Sequence, residues 1–402
     1  VVVAEAAVDF YDGAGAAITL EAVGRGTTVD HVQVLGAEVD GFAWFGGAVN
    51  ATHLVANGVD DDSLDLDDGY VGQIQFALVR MGDQDGDRGI EADGRDPAGS
   101  NAQLANVTVL GNAGAAENGT LAAMHREGFA GAVHRSAFSD DHLAGAAFED
   151  GCLDVDDQLP ADFRYRDVVF DCTGGALADD DDTEDGSVAT NFQTDAVNTG
   201  QVEFREGRGL TVTPNLAVTT SAPAPSHALP AGLEDTSYHG AVDPDATEPF
   251  WAGWTYVHED VDGGLPGPDA HPLEAEIRAG ALAPASAHAC EGINPDFENG
   301  GFADVFGVRF PVCVLDDRIE EDTLLTSDHV YVLRDFVNVG TGDAQLEGGQ
   351  PSTRPTLTLE GGTQIYGAEN RQSFLVITRG ARIEANGTRE RPIIFGAAAL
   401  DR

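Results

Sequence analysis

The sequence predicts an all-β protein wound as a parallel β-solenoid, and three observations support that prediction. Short runs rich in Val, Ile, Thr and Phe recur roughly every 20–35 residues, a period typical of solenoid repeats. Apolar and polar residues alternate along each run, so each predicted strand has one inward face. The connections are mostly longer than hairpin turns and carry almost no helical pattern. A parallel coil is therefore favoured over a sandwich or βαβ units.

The predicted strands fall into two groups, one in each half of the chain. Those of the first half are Thr28–Val34, Ala48–Val55, Gln73–Val79, Leu104–Leu110, Ala132–Phe138 and Asp167–Cys172. Those of the second half are His329–Leu333, Thr356–Glu360, Phe374–Thr378 and Pro392–Phe395. We therefore divide the chain into middle coils over residues 1–220, a linker and aromatic cap region over 221–311, and opening coils over 312–402.

The region between the two groups has a different composition. Ser221–His239 is rich in Pro, Ala and Ser, which indicates a linker or a loop that wraps the solenoid. The aromatic run Pro249–Val257 predicts an edge strand or cap, the alternative being a stacking platform for sugar rings. Leu273–Leu282 is the one convincing short helix in the sequence.

The chain is strongly acidic. Its 402 residues include 69 Asp and Glu against 21 basic residues, all of them Arg, for a formal net charge of -48. Such a charge repels nucleic acid and anionic membranes, and no apolar run is long enough to span a bilayer. It favours a halophilic, high-salt source, where screening keeps the protein soluble. The alternative is a GC-rich genome combined with calcium sites.

The four cysteines form two local pairs in the sequence, Cys152 with Cys172 and Cys290 with Cys313. No CxxC or haem-attachment motif is present. Two disulfides, and so an oxidising extracellular setting, are the preferred interpretation, and free buried thiols are the alternative.

Several longer runs resemble a family of secreted or lipid-anchored bacterial proteins of unassigned function. The runs are Gly26–Val79, Gly86–Gly94, Gly151–Asp157, Leu233–Thr255 and Leu357–Phe395. The resemblance implies a right-handed parallel β-helix, similar to that of pectate lyases, with long loops and an aromatic capping segment. The resemblance covers about three-quarters of the chain.

The order of segments departs from that family. Its opening coils precede its middle coils, whereas here the opening coils at Val312–Phe395 follow the middle coils at Val1–Asp171. The tryptophan-glycine-glycine stretch that usually follows the PIIF strand is also missing between Ala397 and Val1. Because the chain begins at Val1 without Met, we expect a processed protein, a fragment or a repeat unit. Opening coils at the C-terminus suggest head-to-tail stacking, in which they complete a neighbouring copy.

Two acidic clusters are candidate Ca²⁺ sites, because this ion takes about six to eight oxygen ligands. In the first cluster, alternating aspartates around Gly86 are followed by two carboxylates at strand spacing. Its members are Asp83, Asp85, Asp87, Glu91 and Asp93. The members of the second cluster are Asp60, Asp61, Asp62, Asp65, Asp67 and Asp68. Stacked carboxylates would destabilise a β-helix without cations, so we expect structural Ca²⁺; an acidic surface neutralised by bulk salt is the alternative.

Evidence for catalysis in the sequence is weak. Arg80 and Arg88 lie near the acidic clusters, as a Ca²⁺-dependent polysaccharide lyase would need, but a chain of this charge repels a polyanionic substrate. No HExxH or zinc spacing occurs, and His125 and His134 are expected on the coil surface. Four glycosylation sequons stand at Asn50, Asn106, Asn118 and Asn386.

The sequence therefore predicts a non-enzymatic extracellular structural subunit. Its predicted partners are copies of itself stacked head-to-tail into a filament or surface layer, with Ca²⁺ as a stabilising ion. The alternatives are a surface adhesin that binds glycans and a Ca²⁺-dependent polysaccharide lyase.

Overall fold

The structure is a computed structural model that describes most of the chain. The described residues are 1–4, 15–81, 86–94, 99–111, 121–140, 151–155, 162–172, 202–205, 210–257, 265–266, 270–287, 289–315, 317–342, 352–368 and 372–397. They fall into two compact units. The first unit comprises Val1–Glu5, Gly253–Tyr256 and Asp269–Arg402, and the second comprises Ala6–Ala252 and Val257–Pro268.

Nearly all of the described secondary structure is strand. In chain order the strands up to residue 140 are β1 (Val2–Ala4), β2 (Ala16–Glu21), β3 (Thr28–Leu35), β4 (Asp40–Phe45), β5 (Asn50–Asn57), β6 (Leu64–Asp67), β7 (Gln73–Arg80), β8 (Glu91–Asp93), β9 (Gln103–Gly111), β10 (Leu121–Arg126), β11 (Ala132–His134) and β12 (Ala137–Asp140). Those up to residue 219 are β13 (Gly151–Val155), β14 (Arg164–Asp171), β15 (Val202–Arg205), β16 (Thr211–Val212) and β17 (Val218–Thr219).

The remaining elements belong to the first unit. Its strands are β18 (Glu298–Val305), β19 (Val308–Leu315), β20 (Arg318–Ile319), β21 (Thr323–Leu325), β22 (Val330–Leu333), β23 (Phe336–Val339), β24 (Thr356–Leu359), β25 (Gln364–Gly367), β26 (Phe374–Ile377), β27 (Arg382–Ala385) and β28 (Ile394–Ala397). Its helices are α1 (Glu274–Arg278), inside the predicted Leu273–Leu282, and α2 (Cys290–Ile293), which the sequence did not predict. Neither helix of the described chain is long enough to cross a membrane.

The first unit is a parallel β-helix with three sheets. β19, β22, β25 and β28 stack in parallel on one side. The order β20–β23–β26 forms the second sheet and β21–β24–β27 the third. Their inward side chains form one apolar core that includes Leu315, Leu325, Tyr331, Val337 and Ile365. The alternating pattern of the sequence therefore specifies coils whose inward faces stack on one another.

Both ends of this stack are covered within the same chain. At one end β18 pairs antiparallel with β19 and covers the edge that β19 would otherwise expose. At the other end β1 pairs in parallel with β28, with Val2 opposite Ile394 and Ala4 opposite Gly396. The N-terminal strand thus continues the coils that the C-terminal segment begins. The first and the last strand of the described chain therefore share one sheet of this unit.

The second unit is also a parallel β-helix. One of its sheets carries the parallel neighbours β3, β5, β7, β9, β12 and β14. The other has the order β13–β10–β8–β6–β4–β2. All pairings within the two sheets are parallel, which confirms the predicted fold class. The sequence located the strands of the first sheet to within a few residues but missed those of the second, which are shorter and richer in Asp and Ala.

Both predicted disulfides are present. Cys152 bonds to Cys172 in the second unit, and Cys290 bonds to Cys313 in the first. Cys290 and Cys313 both belong to the apolar core of the first unit. The second disulfide therefore joins α2 to β19 at the first coil of that unit.

Candidate functional site: an acidic column on the second unit

Carboxylates lie one above another on the sheet that contains β4, β6, β8 and β10. In β6 the apolar Leu64 and Leu66 alternate with Asp65 and Asp67, and the two leucines are fully buried. Because neighbouring strands are parallel and in register, Asp65 lies opposite Glu91 of β8. We call this set the acidic column; its members are Asp40, Asp61, Asp62, Asp65, Asp67, Glu91 and Asp93.

The upper part of the acidic column is a close cluster of oxygens. Carboxylate oxygens of Asp40, Asp61 and Asp62 all lie within 4.8 Å of one another. The backbone N–H of Asp62 donates to Asp40 Oδ1 at 3.2 Å. Asp62 is 5% exposed, and its Oδ1 has no hydrogen-bond partner among the described residues. A buried carboxylate oxygen without a partner is costly, so this oxygen is a candidate ligand atom.

Burial and mutual repulsion disfavour the charged forms of these carboxyls. Burial, reinforced by the charges of Asp61 and Glu91, raises the pKa of Asp40 to about 8. Burial and the charges of Asp40 and Glu91 raise the pKa of Asp65 to about 9. The pKa of Asp62 is also raised, through burial and its contact with Glu91. Without a cation, the upper column therefore holds protons at neutral pH.

Two arginines lie near the acidic column. Arg126 of β10 lies opposite Asp93, and its Nε and Nη2 donate to the two Asp93 oxygens at 3.1 Å each. Its Nη2 also lies 2.7 Å from Glu91 Oε1. Burial acts to lower the pKa of Arg126, but bonding to Asp93 and the nearby carboxylates outweigh it and raise this pKa overall. Arg88 pairs with Asp87 and lies near Asp61.

The predicted metal ligands divide into three groups. Asp61, Asp62, Asp65, Glu91 and Asp93, together with Asp67, join in the acidic column, so the two clusters of the sequence are one site. Three other predicted ligands lie outside the acidic column. Asp60 lies on the turn before Asp61, and Asp87 pairs with Arg88. Asp68 is an exposed corner residue whose N–H donates to Asp67 Oδ1 at 2.5 Å.

Two predicted ligands, Asp83 and Asp85, lie outside the described residues. One member of the acidic column, Asp40, was missed by the sequence reasoning. It is the first residue of β4 and stands apart from the acidic clusters of the sequence, so only the stacking of β4 on β6 brings it to Asp62. A search for acidic residues one coil period before each cluster would have found it.

A second column of side chains runs along the corners of β3, β5, β7, β9, β11–β12 and β14. Its residues adopt positive φ between 48° and 59°, a conformation in which each long strand turns. They stack coil on coil because the flanking residues are in register, Asp30 opposite Thr52 and Val32 opposite Leu54. We call this set the corner column; its members are His31, His53, Phe76, Asn106, Arg135 and Asp167.

The lower part of the corner column, formed by Asn106, Arg135 and Asp167, is covered by residues 226–241, which we call the wrapping segment. Asp167 is fully buried and accepts backbone N–H bonds from Ser226 at 3.0 Å and His227 at 2.8 Å. Arg135 donates to His227 O at 2.8 Å and pairs with Asp235 at 2.7 Å. The wrapping loop predicted for Ser221–His239 is thus confirmed, and it neutralises the charges beneath it.

The wrapping segment overturns one predicted glycosylation site. Asn106 is fully buried, and its amide donates to Gly240 O at 3.1 Å, so it cannot carry a glycan in this fold. The prediction failed because the sequence does not show which outward side chains a distant segment covers. Asn50 and Asn386 are exposed, and Asn118 lies outside the described residues.

Two further surface predictions are wrong. His125 is 1% exposed and His134 8% exposed, rather than on the coil surface. His125 points into the coil because it lies in register with the buried Ala92, and its Nε2 lies 2.6 Å from the Tyr165 hydroxyl. For the aromatic run, predicted as an edge strand or a cap, residues 250–254 form turns, which leaves the cap.

The aromatic run packs inward. Trp251 is 7% exposed and Trp254 4% exposed, and the Trp251 indole N–H donates to Asn215 O at 3.2 Å. Buried indoles cannot stack on a sugar ring, so the packing role predicted for a cap fits these residues better than a sugar platform.

Comparison with known proteins places the acidic column and the corner column in one family domain. Residues 12–206, slightly under half of the chain, match the model of a family described as a pectate-lyase-like β-helix domain. No curated protein and no solved structure matches the chain. The match leaves the resemblance of Leu233–Thr255 and Leu357–Phe395 as a prediction. Over residues 12–206 the chain is therefore similar to the pectate-lyase-like β-helix domain, in agreement with its parallel coils.

Proposed function

We propose that this protein is a structural β-helix of the cell exterior whose acidic column binds Ca²⁺ and depends on the ion for stability. The observation that carries the proposal is the burial of several like charges together. Asp40, Asp62 and Asp67 are each 5% exposed, and Asp62 Oδ1 has no hydrogen-bond partner among the described residues. Buried charges of one sign are tolerated when a cation or protons neutralise them.

The donor set fits Ca²⁺ better than a softer ion. Carboxylate oxygens are hard ligands, and the cluster of Asp40, Asp61 and Asp62 supplies several within reach of one point. Ca²⁺ accepts irregular geometry, as a site assembled from different coils requires. These residues would hold the ion, whose charge would offset the repulsion between neighbouring coils.

The same geometry argues for a structural rather than a catalytic role. A polysaccharide lyase needs a base that can lose its proton beside the ion and the substrate. Arg126 is held by Glu91 and Asp93, and its raised pKa keeps it protonated. Asp40, Asp62 and Asp67 are also buried, so a polymer chain does not reach these carboxylates. Enzymatic activity is therefore not proposed.

An extracellular, high-salt location is part of the proposal. Two disulfides favour an oxidising compartment. The net charge of -48 without lysine suits high ionic strength, where surface repulsion is screened. The exposed sequons at Asn50 and Asn386 are the remaining candidates for glycans on such a surface.

Head-to-tail stacking of copies stays a hypothesis that the fold no longer requires. The opening coils find their continuation in β1 of the same chain, and β18 covers the other edge of the first unit. Electron microscopy in high salt, with Ca²⁺ and after chelation, tests it. Filaments that dissolve on chelation would support assembly, whereas discrete particles in both conditions would contradict it.

The proposed function is tested on one sample of the full chain in two assays. Thermal unfolding is followed with saturating Ca²⁺ and after chelation, and polyuronates are incubated with the protein to detect unsaturated products by their ultraviolet absorbance. We expect a clear loss of stability on chelation and no product. A Ca²⁺-dependent product would replace the structural proposal with the lyase alternative.

A further inference from the structure

The upper corner column carries two stacked histidines with a carboxylate between them. His31 and His53 occupy the same corner position on successive coils, and their ring centroids lie 4.3 Å apart. Both have a positive φ, 53° and 52°, which directs the two side chains to the same side of the turn. Asp30 precedes His31 in β3. The repeat itself therefore brings two imidazoles to one place.

The three side chains converge through specific atoms. His31 Nδ1 lies 2.7 Å from Asp30 Oδ1, and His53 Nδ1 lies 2.9 Å from the same oxygen. One ligand atom from each residue falls within 4.8 Å of the other two. The side chains are 43%, 28% and 42% exposed for His31, His53 and Asp30, so an ion from solvent can reach them.

Neighbouring groups fix the orientation of the His53 ring. Phe76, the next residue of the corner column, stacks on it with centroids 5.0 Å apart. Phe250 contacts it at 5.4 Å in a tilted arrangement. The Thr52 hydroxyl lies 3.3 Å from His53 Nδ1. Groups around a ligand that hold its ring in place improve metal affinity because less freedom is lost on binding.

We propose that Asp30, His31 and His53 form a binding site for a divalent transition-metal ion of the zinc or copper class. Imidazole suits these ions, whereas Ca²⁺ prefers the oxygens of the acidic column. Two nitrogens and one carboxylate oxygen leave a further position of a tetrahedral zinc ion for water. The ion would bind between the two imidazoles and the carboxylate, whose ligand atoms already converge.

The test is a calorimetric titration of Zn²⁺ into the full chain in excess Ca²⁺, which keeps the acidic column loaded. We expect saturable binding of one equivalent of Zn²⁺ and a loss of affinity of about tenfold or more in each of His31→Gln, His53→Gln and Asp30→Asn. His227→Gln is the matched control: its Nδ1 also lies near a carboxylate of the corner column, 3.1 Å from Asp167, but it is outside the cluster of Asp30, His31 and His53. It should bind Zn²⁺ like the wild type.

A spectroscopic measurement on the wild type makes the test independent of the variants. The electron paramagnetic resonance spectrum of the Cu²⁺-loaded chain should show couplings to the nitrogens of two imidazoles. Circular dichroism establishes that each variant is folded before its affinity is compared. Unchanged Zn²⁺ affinity in folded His31→Gln and His53→Gln, or a Cu²⁺ spectrum without nitrogen couplings, would overturn the proposal.

Discussion

The acidic column and the corner column belong to the same β-helix unit, yet their charges are neutralised in different ways. In the lower corner column, Asp167 and Arg135 are each bonded by the wrapping segment of the same chain. In the upper acidic column, Asp40, Asp62 and Asp65 face one another, and their pKa values are raised. Stacked coils place identical positions about 5 Å apart in both columns.

This difference shows that coil stacking aligns charged side chains but does not by itself neutralise them. Stacking creates columns of like side chains, and neutralising them requires a partner from outside the repeat. For the corner column that partner is encoded in the sequence, at residues 226–241. Of the arginines near the acidic column, Arg126 is bonded to Glu91 and Asp93, and Arg88 lies near Asp61. A bound cation would complete the pattern.

Removing Ca²⁺ is expected to have the largest effect. A ligand present at about 100 to 1,000 times its Kd stabilises a protein by about 2.7–4.1 kcal/mol. Chelation should therefore lower the melting temperature of the full chain by several degrees, as circular dichroism would show. Mg²⁺ at equal concentration is the control, because it accepts irregular oxygen sites poorly. An unchanged melting temperature after chelation would contradict the claim that a bound cation neutralises the acidic column.

The next effect concerns the wrapping segment. Asp167→Ala removes a buried acceptor of two backbone N–H groups and should destabilise the fold by about 3 kcal/mol. Cleavage by an added protease near residue 226 should accelerate, with the site identified by mass spectrometry. Arg278→Ala is a control, because it breaks an exposed helical pair with Glu274 worth about 0.5 kcal/mol. Equal proteolysis in both variants would show that the corner column does not hold the segment.

The pH dependence of stability gives a third way to sharpen the comparison. For Asp40 and Asp65 the pKa rises from 3.8 to about 8 and about 9 on folding, so folding takes up protons. Their contribution is complete below pH 3.8 and is lost as the pH rises through 8 to 9. Without Ca²⁺, stability should fall by about 2 kcal/mol toward pH 9. With Ca²⁺ this fall should disappear.

Buried histidines set the lower limit of that pH window. The pKa of His125 is lowered to about 3 by burial, and those of His134 and His271 to about 4, so their contributions are lost as the pH falls below 6.5. Between pH 6.5 and 9 the carboxyls of Asp40 and Asp65 lower the stability as the pH rises, and these histidines do not change it. Chemical denaturation across that range with chelator is the measurement, and a stability that rises with pH would contradict the assignment.

The smallest effect is expected from removing one charge of the acidic column. Asp65→Asn should stabilise the Ca²⁺-free protein by about 1 kcal/mol, because it removes a carboxyl that must take up a proton when it is buried opposite Glu91. The same substitution should reduce the stabilisation that Ca²⁺ provides. Asp68→Asn, at an exposed corner position, is the matched control and should change neither value. Denaturant unfolding with and without Ca²⁺ checks both signs.

The fold was predictable because its signal is repeated in every coil. Alternating apolar positions in runs such as Gln73–Val79 specify a strand with one inward face, and the spacing specifies the coil. The acidic column was predicted in part, since Asp61, Asp62, Asp65, Asp67, Glu91 and Asp93 stand in dense local clusters. The position of Asp40 in the acidic column and the burial of Asn106 depend on which coil or segment lies beside each residue. The local sequence does not encode those neighbours.

The most direct test of the account is a calorimetric titration of Ca²⁺ into the full chain and into the double variant Asp62→Asn, Asp65→Asn. A protein of this charge binds cations weakly at many places, so the difference between the two titrations is the informative quantity. We predict saturable binding in the wild type that the double variant loses while remaining folded. Identical titrations, or no saturable binding in the wild type, would contradict the claim that the acidic column binds Ca²⁺.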